Sequence, residues 1–398
     1  MTDWLNRDKE VFLQVYNRYP LMLVRGSGSR VWDDQGREYL DFLCGIGVTS
    51  LGHCHPDVVE AITRQAATLI HTSNLFHNGP ALELGELLIN LGALDRVFFS
   101  NSGAEATEGA IKLARKYHWR QGRPERNVIV SMTGSFHGRT LGALAATAKP
   151  EIQEGFGPLP GGFKHVQWND VEALDAALDD QVAALILEPV QGEGGIHVAD
   201  PQFMHAARAL TAERGILLIV DEIQCGIGRT GSMFAHTEYG IRPDIMLLAK
   251  ALGSGLPIGA ICATEEAAQG FAFGDHGTTF GSNPVACAAA TATLRAIVRD
   301  DLARHAGEMG RLLMDLLQAR LGGNPAVTEI RGKGLMVGIQ LTCDAQKVLA
   351  GCRDRGLLAN VTSGSVLRLL PPLIVTEEEI RQSVEIIGQA IEDAVAAQ

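Results

Sequence analysis

Five short apolar runs, each ending in polar residues and separated by longer stretches of helical pattern, constrain the fold of this chain more than any other feature. They are RVFFS (96 to 100), NVIVSM (127 to 132), AALILEP (183 to 189), ILLIVDE (216 to 222) and DIMLLAK (244 to 250). Apolar strands that alternate with helices form βαβ units, whose parallel sheet is covered on both faces. An α/β chain is therefore expected, its large domain a mostly parallel sheet sandwiched by helices. Ligands of such sheets bind outside the carboxyl ends of the strands. Here those ends read SNSGAEA, TGSFHGR, EPVQGEGG, DEIQ and AK, which gathers the polar residues at one edge.

Outside this block, residues 21 to 50 read as short strands, with the turn DDQGRE between RVW and YLDFL. Residues from about 284 to 320 read as helix rich in alanine and leucine, followed by an αβ lobe containing RGKGLMVGIQL and VLRLLPPLIV. A chain of 398 residues exceeds one ordinary core. The two ends, 1–50 and 291–398, are expected to pack as a smaller α+β domain beside a large domain of 51–290.

Composition narrows the function classes. A net charge of −12 without any block of Lys and Arg argues against a polyanion surface, so no nucleic-acid partner is expected. The opening MTDWLNRDKEVF lacks the basic start and apolar core of a secretory signal. No apolar run approaches the roughly 20 residues that cross a bilayer. Seven cysteines with no CxxC pair suit a reducing compartment and read as small core residues. A cytoplasmic enzyme with no membrane contact is the expectation.

Lys250 ends the last of the five runs. Such a lysine ordinarily reaches solvent, its stem covering apolar neighbours. Held in a partly dry cleft, the same amine gives up its proton more readily and becomes a nucleophile toward carbonyl carbon. Asp221 lies 29 residues earlier, at the end of the preceding run, which is the span of one βαβ unit. A carboxylate and an amine on successive strand ends can face one cleft, although an acidic pair such as DEIQ also serves as a helix cap or salt bridge.

SNSGAEA reads as strand, tight turn and helix. Small residues at a helix N-terminus leave free amides and a dipole that suit a phosphate; SGAE is equally a capping box. GIGRTG matches the dinucleotide pattern G-x-G-x-x-G but does not directly join a strand to a helix, so a nicotinamide site is not expected. GHCHP (52 to 56) is too tightly spaced for a zinc site and reads as a turn; no metal is expected. Arg139 and Arg368 are surface arginines on the ordinary reading. Guanidinium is also the side chain best shaped to grip a carboxylate, and two in one cleft suit a dicarboxylic substrate.

Taken together, SNSGAEA, SFHGR, EPVQGEGG, DEIQCGIGRTG, LLAKALGSGLPIGA and GTTFGSNP resemble the class III, fold-type I aminotransferases that use pyridoxal 5'-phosphate. The likeness runs from about Tyr19 to the C-terminus. It implies that Lys250 holds the cofactor covalently and then carries the proton between the substrate Cα and the cofactor, while Asp221 pairs with the pyridine nitrogen. Gln224 would bond the ring's 3-hydroxyl oxygen, Phe136 would stack on the ring, and His137 would lie beside it. Ser102, Gly103 and Ala104 would hold the phosphate. Thr279 from a partner subunit would complete that site, so a homodimer is implied. Arg139 resembles the residue that takes a substrate carboxylate. Arg368 resembles the arginine that takes glutamate's second carboxylate, and Glu193 the acid that neutralises it when the other substrate enters.

The opening YNRYPLMLVRGSGSRVWDDQGREYLDFLCGIGVTSLGHCHP looks most like acetylornithine aminotransferases of arginine biosynthesis. The resemblance implies transfer from N-acetylornithine to 2-oxoglutarate, giving N-acetylglutamate semialdehyde and glutamate. Ile46 aligns where ornithine aminotransferases carry a tyrosine, which argues against free ornithine; 4-aminobutyrate aminotransferases share the isoleucine. Succinylornithine, ornithine, 4-aminobutyrate or a related amine as donor, or an aminomutase reaction, are the alternatives within the class. A cofactor-free lysine aldolase would have no need of the SNSGAEA cradle or of Asp221. A protein that binds the cofactor without turning over would have no need of Lys250 together with Asp221.

Overall fold

Three strands at the start of the chain, β1 (Leu23–Ser27), β2 (Arg30–Asp33) and β3 (Glu38–Asp41), form an antiparallel meander in the computed structural model, which describes residues 4–396. The large sheet follows. Its strands are β4 (Arg96–Ser100), β5 (Val128–Met132), β6 (Phe163–Val166), β7 (Val182–Leu187) and, after the small hairpin β8 (Val190–Gln191) and β9 (His197–Val198), β10 (Leu217–Asp221), β11 (Ile245–Leu248) and β12 (Gly259–Ala263). They lie in the order β4-β12-β11-β10-β7-β5-β6.

All five apolar runs are strands of this sheet, and β5, β7, β10 and β11 are buried along their whole length. That explains their unbroken apolar character, since helices cover both faces. Two strands lay outside the sequence reading. One is β6, at the edge; the other is β12, which runs antiparallel to both neighbours and sits between β4 and β11. An inserted antiparallel strand carries no local pattern that distinguishes it from its parallel neighbours.

The C-terminal lobe holds β13 (Val327–Lys333), β14 (Met336–Leu341), β15 (Leu357–Leu358), β16 (Asn360–Thr362) and β17 (Val366–Leu369). Four of them make an antiparallel sheet in the order β13-β14-β17-β16, while β15 pairs parallel to β3 through Leu357 and Leu40. The beginning and end of the chain thus share one sheet. The expected boundary at 290/291 falls inside the helix Pro284–Arg299. That helix packs on Pro56–Thr68 and Gly79–Asn90, and the chain breaks after it, where Asp301 adopts a left-handed conformation.

GIGRTG finds its role here. Arg229 is fully buried and donates to the carbonyls of Leu335 at 3.2 Å and of Pro371, and to Ser50 Oγ at 3.0 Å. One guanidinium therefore ties the large domain to both chain ends. Burial pushes its pKa down to about 10, which leaves it charged at neutral pH. GHCHP is a turn: His53 exchanges backbone hydrogen bonds with Gly28, and its Nε2 lies 2.7 Å from Asp41 Oδ2.

Candidate active site

The carboxyl ends of the large sheet open onto a cavity of about 450 Å³. Its walls include Ser102, Gly103 and Ala104 after β4, Phe136, His137 and Arg139 after β5, Glu188 and Glu193 after β7, Asp221 and Gln224 at the end of β10, and Lys250 after β11. Ten of the expected residues thus meet in one place. They do so because β10 and β11 run side by side in parallel register, Asp221 opposite Leu247, so both strands deliver their ends to the same edge.

Ser102 is the N-cap of the helix Gly103–Arg120, its Oγ accepting from Glu105 N–H at 3.2 Å. The cap reading and the anion reading are compatible, because helix geometry still leaves the first amides without intrahelical acceptors. A Cβ on Gly103 would come within 2.9 Å of Ile223 Cδ1, so the backbone approaches the cavity where a side chain would not fit.

Lys250 is held at φ +42°, a left-handed conformation that a non-glycine residue adopts only when its surroundings impose it. Burial pulls its pKa below the ordinary lysine value, opposed by the charge of Glu193. Among the described residues its ammonium makes no hydrogen bond or ion pair.

Asp221 is 3% exposed; one oxygen accepts Ile223 N–H at 3.0 Å and the other lies 2.8 Å from His137 Nδ1. His137 is clamped in turn, its N–H donating to Thr147 Oγ1 and its carbonyl accepting from Thr107 Oγ1, both at 2.9 Å. Burial disfavours charge on the imidazole, but the bond to Asp221 and the Asp221 charge outweigh it and raise the pKa. Glu222, the second acid of DEIQ, turns away from the cavity and caps residues 235–236, accepting from Ala235 and His236 N–H at 2.7 Å.

Three expected residues do not line this cavity. Arg368 is fully buried behind it: Nη1 lies 2.5 Å from Glu193 Oε1 and 3.3 Å from Gln224 Oε1, and Nε donates to Asn360 Oδ1 at 3.1 Å. Glu193 and Gln224 therefore stand between Arg368 and the open space. Burial opposes the Glu193 charge, yet Arg368 outweighs it and holds the pKa below the ordinary carboxylate value. Thr279 is exposed and faces away, because its neighbour Thr278 turns inward to accept from Asn101 Nδ2 at 3.0 Å. Ile46 is 41% exposed, in a run of four left-handed residues from Cys44 to Gly47 that Asp41 pins through the Leu43 and Cys44 amides, each 2.9 Å away.

The sequence reading had quoted Glu188 within EPVQGEGG without giving it a role. It accepts Phe136 N–H at 3.1 Å, and burial together with the charge of Asp221 raises its pKa to about 7, against the pull of His137. A carboxylate directly after a buried strand was the available signal.

The residues fit pyridoxal phosphate. A half-buried amine without a protein partner, a fixed carboxylate on the adjacent strand, a helix N-terminus packed too closely for a Cβ and an aromatic side chain, Phe136, all border one cavity of suitable size. Lys250 would hold the carbonyl carbon, Asp221 the ring nitrogen, and Ser102 to Ala104 the phosphate.

Comparison with known proteins agrees with this chemistry. The family described as "Aminotransferase class-III" matches residues 13–391. An acetylornithine aminotransferase of Methanocaldococcus jannaschii is 51% identical over 381 residues, spanning 95% of this chain and 95% of the relative. Another, from Caldanaerobacter subterraneus, is 50% identical over 97% of this chain and 98% of its own. The crystal structure of the ornithine aminotransferase of Toxoplasma gondii superposes with a TM-score of 0.96 at 36% identity, covering 100% of this chain and 96% of that one.

Proposed function

The chain belongs to the class-III aminotransferases, and from that premise we propose that it uses pyridoxal phosphate to move the amino group of N-acetylornithine to 2-oxoglutarate, giving N-acetylglutamate semialdehyde and glutamate. One observation carries the substrate: relatives named acetylornithine aminotransferases are about half identical over nearly the full length of both chains. The chemistry rests on Lys250 and Asp221, which end adjacent parallel strands in one cavity. We propose a cytoplasmic homodimer in which Thr279 serves the partner's phosphate site. No helix among the described residues is long and apolar enough to cross a membrane.

When bound, the cofactor supplies an electron sink for the pair left on the carbon that bears the transferred amino group as its proton departs. Lys250 would supply the base: an amine with a lowered pKa takes that proton from the substrate carbon. Asp221, held by Ile223 N–H and His137, presents a fixed negative charge to the ring nitrogen. Fixed charges in a water-poor cavity stabilise developing charge without reorganisation at the moment of reaction.

Two substrates use this site in turn. Arg139, exposed at the cavity, takes the carboxylate remote from the reacting carbon: that of N-acetylornithine, or the side-chain carboxylate of glutamate. The buried Arg368 takes the other carboxylate of glutamate or 2-oxoglutarate, the one on the reacting carbon, which must displace Glu193; the carbon of N-acetylornithine that gives up its amino group carries no carboxylate, so with that donor the Glu193–Arg368 pair stays closed. Leaving Arg368 buried without an anion would cost several kcal/mol, so the pair makes a reacting carbon without a carboxylate acceptable.

Glutamate formation from 2-oxoglutarate tests the reading, with N-acetylornithine, succinylornithine, ornithine and 4-aminobutyrate as donors. The highest kcat/KM is expected with N-acetylornithine. A higher value with free ornithine or 4-aminobutyrate would keep the chemistry and move the substrate within the family.

A further inference from the structure

Glu193 sits in the loop of the β8–β9 hairpin, in the run Gln191-Gly192-Glu193-Gly194-Gly195. Three glycines around one acid give a backbone with more freedom than any other composition, and Gly195 uses it, at φ +113°. The loop is nonetheless pinned. The carbonyl oxygen of Glu193 accepts from Lys149 Nζ at 2.7 Å, Thr362 Oγ1 at 2.7 Å and Ser363 Oγ at 3.2 Å. Two residues on, Arg331 donates to the Gly195 carbonyl through Nε at 2.9 Å and Nη2 at 2.6 Å.

A carbonyl oxygen has two lone pairs, so three donors saturate it. Of the three, only Lys149 is charged, and charged donors make the shorter and stronger bonds. Lys149 reaches across from the segment between the helix Leu141–Ala146 and Pro150, whereas Thr362 and Ser363 come from β16 and the turn after it. Among the described residues its ammonium has no carboxylate within ion-pair distance, so its stated acceptor is the Glu193 carbonyl. With the peptide fixed, exchange at Arg368 reduces to rotation of one side chain.

We propose that Lys149 is a positioning residue for the choice between the two substrates: by fixing the Glu193 peptide it favours the closed Glu193–Arg368 pair and so favours the donor whose reacting carbon bears no carboxylate over the dicarboxylate. The inference rests on the reading of Glu193 and Arg368 given above. Freeing the peptide leaves Arg368 less completely neutralised, which weakens binding of the donor, whose reacting carbon offers no anion, and makes Arg368 more available to a second carboxylate.

The test is Lys149→Met in the holoenzyme, with the two half-reactions measured separately by rapid mixing against N-acetylornithine and against glutamate. Loss of one charged hydrogen bond corresponds to about a ten-fold fall in kcat/KM for N-acetylornithine, carried by KM, while the value for glutamate is unchanged or rises. Calorimetric affinity for glutarate, a dicarboxylate that cannot react, is expected to hold or increase. Lys149→Arg should restore the wild-type ratio and Lys149→Gln should fall between. A fall by the same factor in both half-reactions, a fall for glutamate alone, or an unchanged ratio would overturn the proposal. Glu193→Gln separates the layers: if it shifts the ratio and Lys149→Met does not, Lys149 alone is misassigned, and if neither shifts it, the Glu193–Arg368 reading fails first.

Discussion

Asp221 Oδ2 lies 2.8 Å from His137 Nδ1, with both side chains buried at the cavity. The imidazole is the partner that aims the carboxylate, since its backbone is fixed by Thr107 and Thr147 on opposite sides. Asp221→Asn keeps the shape and removes the charge. Removing one fixed charge partner from a preorganised site costs about 10²- to 10³-fold in kcat. Cofactor retention, measured by absorbance after gel filtration, should persist. Unchanged turnover with cofactor bound would refute the role.

Lys250→Ala removes the amine proposed to hold the cofactor and move the proton. Activity should fall roughly 10²- to 10⁴-fold, the usual contribution of a positioned acid or base. The proposed phosphate cradle at Ser102 to Ala104 is untouched by this change, so non-covalent cofactor binding is expected to remain in equilibrium dialysis. Near-normal turnover would return Lys250 to the role of an ordinary strand-end lysine.

Arg229→Met tests the tie between the domain and the chain ends. It leaves the acceptors on Ser50, Leu335 and Pro371 without their shared donor in a fully buried place. Each such group costs roughly 1–3 kcal/mol, partly offset because an uncompensated buried charge is also removed. A lower midpoint of urea unfolding is expected. An unchanged midpoint would mean that the guanidinium contributes nothing net.

His118, in the helix that starts at the phosphate cradle, is fully buried with Nε2 2.9 Å from the Ala183 carbonyl. Burial lowers its pKa from 6.5 to about 4. The unfolded chain therefore takes up a proton near pH 6.5 that the folded chain refuses until about pH 4, so stability is kept above 6.5 and lost as pH falls between these values. The loss amounts to as much as about 3 kcal/mol. His118→Gln should flatten that slope relative to wild type in denaturant titrations across the window; an identical slope would contradict it.

Much of this was legible in the chain, and the parts that were not share a physical cause. Strand ends were readable because buried parallel strands are apolar throughout and stop abruptly at polar residues, which gave Asp221, Lys250 and the SNSGAEA turn their common edge. β12 was not, because antiparallel insertion depends on long-range pairing with β4 and β11. Arg368 and Glu193 were named, but their stacking order, with the acid between the arginine and the cavity, follows only from how the C-terminal sheet meets the β8–β9 hairpin. Lys149 had no signal at all, since a lysine that serves a backbone carbonyl looks like any surface lysine. The role of Arg229 was hidden behind a glycine pattern that suggests a nucleotide.

The most direct test of the account is the absorbance of the purified, cofactor-loaded protein after rapid mixing with N-acetylornithine, ornithine or 4-aminobutyrate alone. The expected result is a band from lysine-bound cofactor that N-acetylornithine converts to the amino form fastest of the three, with Lys250→Ala lacking that band. A protein whose cofactor never bonds to Lys250, or whose band N-acetylornithine does not convert, would contradict the assignment.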